Sequence, residues 1–247
     1  MPQRGEQLTS DLERARKLAI QGLFIAIVLF VLFEALRGQH FWNKIKGEGN
    51  LWNYGSSLLY FVAAEMAIVN AALLAYCEKL GLHSRRSWIW VLWGMVGLAF
   101  VYFACDEMLE VHEKMGLAIE RAVPALKHYY SGRADNLIIA GYALGAVLFG
   151  FAFLRRMAAS REARAYFISG FVVIALTSAL DVVPRGLYIR YLPFRETEEL
   201  LEVLAGFLFA AAFISSAAVM LAEIVRASFG AESSAVKAGG PGIGTRT

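Results

Sequence analysis

Six stretches of this sequence are apolar for long enough to cross a hydrocarbon core as helix, and they lie near 18–37, 55–77, 88–109, 136–155, 163–183 and 199–224. A crossing takes about 20 residues of helix. Inside lipid every backbone N–H and C=O must be satisfied within the protein, which leaves helices as the solution for runs of this kind. The composition agrees, because 58% hydrophobic and 18% charged residues is too apolar for a soluble domain of 247 residues. The expected fold is all-α: a polytopic membrane protein, a six-transmembrane-helix bundle.

The first run follows Arg14, Arg16 and Lys17, as the apolar part of a secretory signal would. It is too long for one, and no small-x-small cleavage site precedes Leu36-Arg37, so a retained helix is expected. Basic residues in short connections stay on the cytoplasmic side. Arg4, Arg14, Arg16 and Lys17, then Lys79, Arg85 and Arg86, then Arg155, Arg156, Arg161 and Arg164 share one face of a six-span chain. That face is read as cytoplasmic, with both termini on it, in a multi-pass protein of the bacterial inner membrane. The expected organisation is a cytoplasmic segment at 1–17, a membrane domain at 18–228 and, after Phe229, a Gly- and Ser-rich tail too poor in apolar residues to fold.

The third run ends in Asp-Glu-Met-Leu-Glu-Val-His-Glu at 106–113, five titratable groups in eight positions. Ionisable side chains at a membrane boundary are costly unless they pair, bind an ion or meet water, so the segment is the first place to look for function. Were the helix to continue past the membrane edge, Asp106, Glu110 and Glu113 would project within about a 60° arc, with Glu107 and His112 on other sides. Other helices supply further acids at the same level: Glu34 ends the first, Asp181 lies near the end of the fifth, and Glu196, Glu198, Glu199 and Glu202 enter the sixth. Glu65 is deeper, about 12 Å along the second helix from Ser57.

Carboxylates and a histidine gathered from several helices are the ingredients of a divalent-metal site within a bundle. The candidate ligands are Asp106, Glu107, His112, Glu113, Glu65, Asp181, Glu199 and Glu202. Only a subset would ligate at once, and a bound divalent metal ion would be the cofactor. The set lacks the paired Glu-x-x-His of di-iron bundles, and His112 is the single histidine at a span end. A metal there could activate water for hydrolysis of a lipid-like substrate. Without metal, crowded carboxylates hold protons, which suits an ion- or proton-coupled transporter. A third reading is a non-catalytic subunit of a larger membrane complex.

Plainer readings attach to several of these groups. Glu110, Glu113 and Lys114 suit a solvated helix end, Glu196 and Glu198 suit the first turn of a helix, and Asp181 can pair with Arg185 one turn later. Asn70, Thr177, Ser178, Ser215 and Ser216 suit hydrogen bonds within the helical core. Gly141 and Gly145 have the spacing that lets helices approach closely. Residues 38–54, with Phe41, Trp42, Trp52 and Tyr54, and the amphipathic segment 115–130 suit the membrane interface. Cys77 and Cys105 stand near opposite ends of their spans, too far apart for a disulfide.

The Asp106-Glu107-x4-His112-Glu113 pattern, with Glu198-Glu199-x2-Glu202 later, resembles polytopic bacterial membrane proteins of uncharacterised function. The resemblance covers about two helices and implies no activity. A looser one is to membrane hydrolases of the ceramidase and progestin-receptor type, which hold zinc through several intramembrane histidines; this chain lacks those repeated histidines. The expected partners are membrane lipids, and a membrane-protein partner or a second copy of the chain. A net charge of +3 spread around the span ends gives no footing for nucleic acid.

Overall fold

The computed structural model describes residues 2–37, 51–82, 88–124, 134–156, 160–182 and 194–238. Seven α-helices and no strand occur among them: α1 (Pro2–Arg37), α2 (Leu51–Lys79), α3 (Ile89–Leu109), α4 (Val111–Ala122), α5 (Asp135–Arg156), α6 (Arg161–Val182) and α7 (Phe194–Ala238). Four are long and apolar enough to cross a membrane, over Gly5–Phe33, Asn53–Lys79, Ile89–Leu109 and Glu199–Phe229. Helices α5 and α6, of 22 residues each, coincide in sequence with the expected fourth and fifth spans.

The 45-residue α7 is the post around which the others gather. It packs against α1, α2 and α6, while α3 lies mainly on α2. Its sequence explains the position. Ala205, Gly206, Ala210, Ala211, Ala212, Ser215, Ser216 and Ala217 are all buried, and small side chains let neighbouring backbones come close where lipid gives no hydrophobic drive for helix association. At Gly206 the approach is tight: a Cβ there would stand 2.8 Å from that of Leu59. Aromatic rings fill what the small residues leave. Phe100 packs on Phe209 and Phe213 with ring centroids 5.0 and 5.4 Å apart, Trp93 meets Phe213 edge-on at 5.2 Å, and Phe167 joins from α6.

Three polar side chains of the helical core donate to backbone carbonyls. The Asn70 amide donates to the Phe213 carbonyl at 3.0 Å, tying α2 to α7, and Thr177 and Ser178 donate back to Val173 and Ile174 one turn earlier. Cys77 is buried, Cys105 is half-buried, and neither forms a disulfide. At Gly141 and Gly145, by contrast, nothing among the described residues lies within 4 Å of where a Cβ would sit.

Two expected boundaries differ from what is observed. Residues 2–17 are the first turns of α1 rather than a separate segment, and α7 runs past 228 to Ala238. An established helix propagates cheaply through ordinary residues, and after Gly230 the stretch Ala231–Ala238 holds neither glycine nor proline until Gly239 and Gly240. The two extensions meet: a Cβ at Gly5 would touch Phe229 at 3.5 Å. Residues 239–247 and 38–50 lie outside the described residues, as do 125–133 of the second interfacial segment.

Arg16 shows how the end of the bundle near Gly5 is held. It is only 8% exposed, donating to Glu162 of α6 at 2.5 Å, to Glu13 at 2.6 Å and to Ser215 of α7 at 3.4 Å. Its place in the sequence suggests only a charge flanking the membrane. Its spacing from Ile20, Leu23 and Ile27, which pack toward α7, puts it on the same face of α1, so it points inward.

Candidate functional site

The continuous helix assumed through 106–113 is broken at Glu110. This residue has φ 52° and ψ 44°, the left-handed conformation that ends helices, and its N–H bonds to the Asp106 carbonyl. Helix α4 then starts afresh at Val111, and Lys114 reaches back to donate to the Leu109 carbonyl at 2.7 Å. The shared stripe of Asp106, Glu110 and Glu113 therefore does not form. What forms is a contact the unbroken helix would forbid: His112 is carried back onto Asp106.

Asp106 is 5% exposed and serves both helices. One carboxylate oxygen accepts the backbone N–H of His112 at 2.7 Å, satisfying an otherwise open donor in the first turn of α4, and the other stands 3.1 Å from the imidazole Nδ1. The imidazole contact is an ion pair lying off the ideal hydrogen-bond direction. Burial pushes His112 down, but the contact with Asp106 and the charges of Asp106, Glu107 and Glu113 outweigh it, so its pKa stands above the ordinary 6.5. Glu113 itself is exposed. Further along, α4 is pinned to α5: Gly116 is so near Asp135 that a Cβ would come within 2.6 Å of its nitrogen, and Glu120 accepts the Ala134 N–H at 3.0 Å.

A second grouping lies deeper at the same end. Tyr60 of α2 is 3% exposed, and both Glu107 of α3 and Glu202 of α7 act on its hydroxyl electrostatically. Glu199, one turn before Glu202, is 8% exposed, and Ser56 and Ser57, one turn before Tyr60, are buried. Helices α3 and α7 thus bring two half-buried carboxylates into the field of one buried phenol on α2. Tyr60 and Ser57 were missed in the sequence reading, which followed charge. Their signal was the spacing of Ser56, Ser57 and Tyr60 on one face of α2, which also carries the small residues Ala63, Ala64 and Ala67.

Those of the eight candidate ligands that lie among the described residues are not grouped as one centre. Glu65 is exposed on the face of α2 that points away from the bundle. Asp181 stands in the last turns of α6, and its side chain, like those of Glu34, Glu196 and Glu198, lies outside the described residues. Among the described residues no three His, Cys, Asp or Glu side chains are grouped so as to hold a metal ion. The chemistry the arrangement offers is divided: an acid–imidazole pair at the elbow between α3 and α4, and an acid–phenol cluster between α2, α3 and α7 that can share protons or attract a cation.

Below this zone the aromatic layer of Trp93, Phe100, Phe167, Phe209 and Phe213 separates the acidic end from the Arg16 clasp. Among families of known proteins, the one described as Domain of unknown function (DUF8692) matches residues 18–217. No curated protein and no solved structure matches the chain.

Proposed function

The chain belongs to the DUF8692 family, and from the geometry of its acidic end we propose that it is a six-span inner-membrane protein that binds a divalent cation in an outward-opening pocket. Glu107 and Glu202 supply the negative charge, Tyr60 supplies a neutral oxygen donor between them, and the Asp106–His112 elbow shapes the rim. The observation that carries this reading is the buried Tyr60 hydroxyl within the electrostatic reach of acids from two different helices. A cation offsets repulsion between like charges held in a low dielectric. Oxygen-only donors favour a hard ion such as Mg²⁺, Ca²⁺ or Mn²⁺.

Several contacts support the alternating topology. The end of α1 meets the start of α2 where Phe30 lies against Gly55, the end of α3 and the start of α7 meet at Tyr60, and α6 starts beside Arg16. The first turns of α1 lie against the last part of α7, as expected of termini on one side.

Calorimetric titration of the detergent-purified protein with Mg²⁺, Ca²⁺ and Mn²⁺ tests the pocket. Saturable binding of at least one ion is expected, with affinity falling at least tenfold in the Glu107→Gln/Glu202→Gln double variant and little changed in Glu113→Gln. Absence of saturable binding, or a double variant that binds like wild type, would overturn the proposal. Hydrolysis of a lipid-like substrate would require the bound ion to activate water, so it stands or falls with the same titration.

A further inference from the structure

Glu65 is the acid that the pocket does not use, and its position is the more unusual for it. Along the Asn53–Lys79 span it lies about 18 Å from one end and about 21 Å from the other, which is the middle of a hydrocarbon core about 30 Å thick. Intramembrane acids ordinarily face a bundle interior or a wet cavity. This one is exposed, in a stripe with Leu58 (65% exposed), Phe61, Ile68, Ala72 and Tyr76, one residue every three or four along α2. The stripe is apolar except at Glu65. A carboxyl group at this depth, turned away from its own bundle, needs a hydrogen-bonding partner, and among the described residues none stands against it.

We propose that this face of α2 is a homodimer interface, closed at the bilayer centre by a hydrogen bond between Glu65 and the partner's Glu65. Copies of one membrane protein insert in the same orientation, so a two-fold axis along the membrane normal brings equivalent residues together at equal depth. A carboxyl group is self-complementary there. Protonated, it has one O–H to donate and oxygens to accept; ionised, it only accepts; a pair that shares at least one proton is satisfied. A second copy therefore supplies the required chemistry at the required depth, whereas a partner with a basic residue would have to match that depth independently. The surrounding apolar side chains add packing, which with interhelical hydrogen bonds drives helix association in lipid. The interface is separate from the cation pocket, which opens at the acidic end of the same helix.

The experiment uses full-length protein in native membranes, with Cys77 and Cys105 replaced by serine. Leu58→Cys and Ala72→Cys, two turns above and below Glu65 on its heading, are expected to give a disulfide-linked species of twice the monomer mass on mild oxidation. Leu29→Cys, equally exposed on α1, is expected to remain monomeric. In the same background Glu65→Leu should reduce cross-linking at Leu58→Cys at least fivefold, and Glu65→Gln, which keeps a donor and an acceptor, should retain most of it. Since Glu65 is exposed in the monomer, Glu65→Leu should keep the wild-type helix content and melting temperature, which separates loss of dimer from loss of fold. Equal cross-linking at all three positions, an adduct with a different protein, or a Glu65→Leu variant that cross-links like wild type would each overturn the homodimer. The cation titration gives an independent result, because Glu65→Leu leaves Glu107 and Glu202 in place.

Discussion

Asp106 holds the backbone N–H of His112 with one oxygen and stands against its imidazole with the other, so one buried carboxylate orders both sides of a helix break. The imidazole pKa is raised in the fold, which makes the protonated form the stabilising one. Its contribution is fully present below the unfolded histidine pKa of about 6.5 and is lost as pH rises through the higher folded value. The melting temperature of wild type should therefore exceed that of His112→Gln most clearly at pH 6, and the gap should narrow by pH 9. A gap that is constant across this range would show that packing, rather than charge, is what His112 contributes. Glu110 was not legible as the breaking point, because glutamate has no preference for the left-handed region that it occupies. With the break unseen, the contact between Asp106 and His112 was unseen as well.

At the level of elements, the bundle depends on close approach where side chains are smallest. Gly206 and Gly94 give the contrast: a Cβ at Gly206 would lie 2.8 Å from the Leu59 Cβ, while one at Gly94 would meet nothing within 4 Å. Gly206→Ala should destabilise by about 1–3 kcal/mol by forcing α7 and α2 apart. Gly94→Ala should be neutral or stabilise by up to about 1 kcal/mol, since alanine is the better helix former. Denaturation of the two variants side by side checks this. Equal effects would mean that the contact between α2 and α7 yields easily and that α7 is not the rigid post its burial suggests. The helix ends followed from sequence to within a few residues wherever an apolar run stopped at charges. They did not at α1 and α7, where the helices continue through polar residues.

For the whole molecule, the proposed alternation of six spans makes a direct prediction about access. In intact cells carrying the cysteine-free background, Met115→Cys on the exposed face of α4 should react with a membrane-impermeant maleimide added from outside. Ser10→Cys in α1 and Ser234→Cys in α7 should react only after the membrane is opened. Labelling of either terminal position in intact cells would break the alternation. The burial pattern bears on why this scale was hard to read. The window of α7 is 72% buried and that of α1 is 11% buried, although both are long apolar helices. In water such a difference appears as an apolar stripe against a polar one. In lipid both faces are apolar, so hydrophobic periodicity does not separate core from periphery.

The same limit divides what was legible from what was not. Length and apolarity of the runs determined an all-helical chain with helices able to cross a membrane, since backbone satisfaction in lipid leaves little choice, and the acids at 106–113 and 199–202 marked one end of the bundle as its polar end. Tertiary structure decided which acids meet. A left-handed residue at Glu110 turned His112 onto Asp106, small residues on α7 drew Glu202 in toward Tyr60, and the packing of the opposite face of α2 turned Glu65 outward. Each of those outcomes depends on the rotation of one helix against another, and that rotation is set by which faces pack rather than by how apolar the helices are.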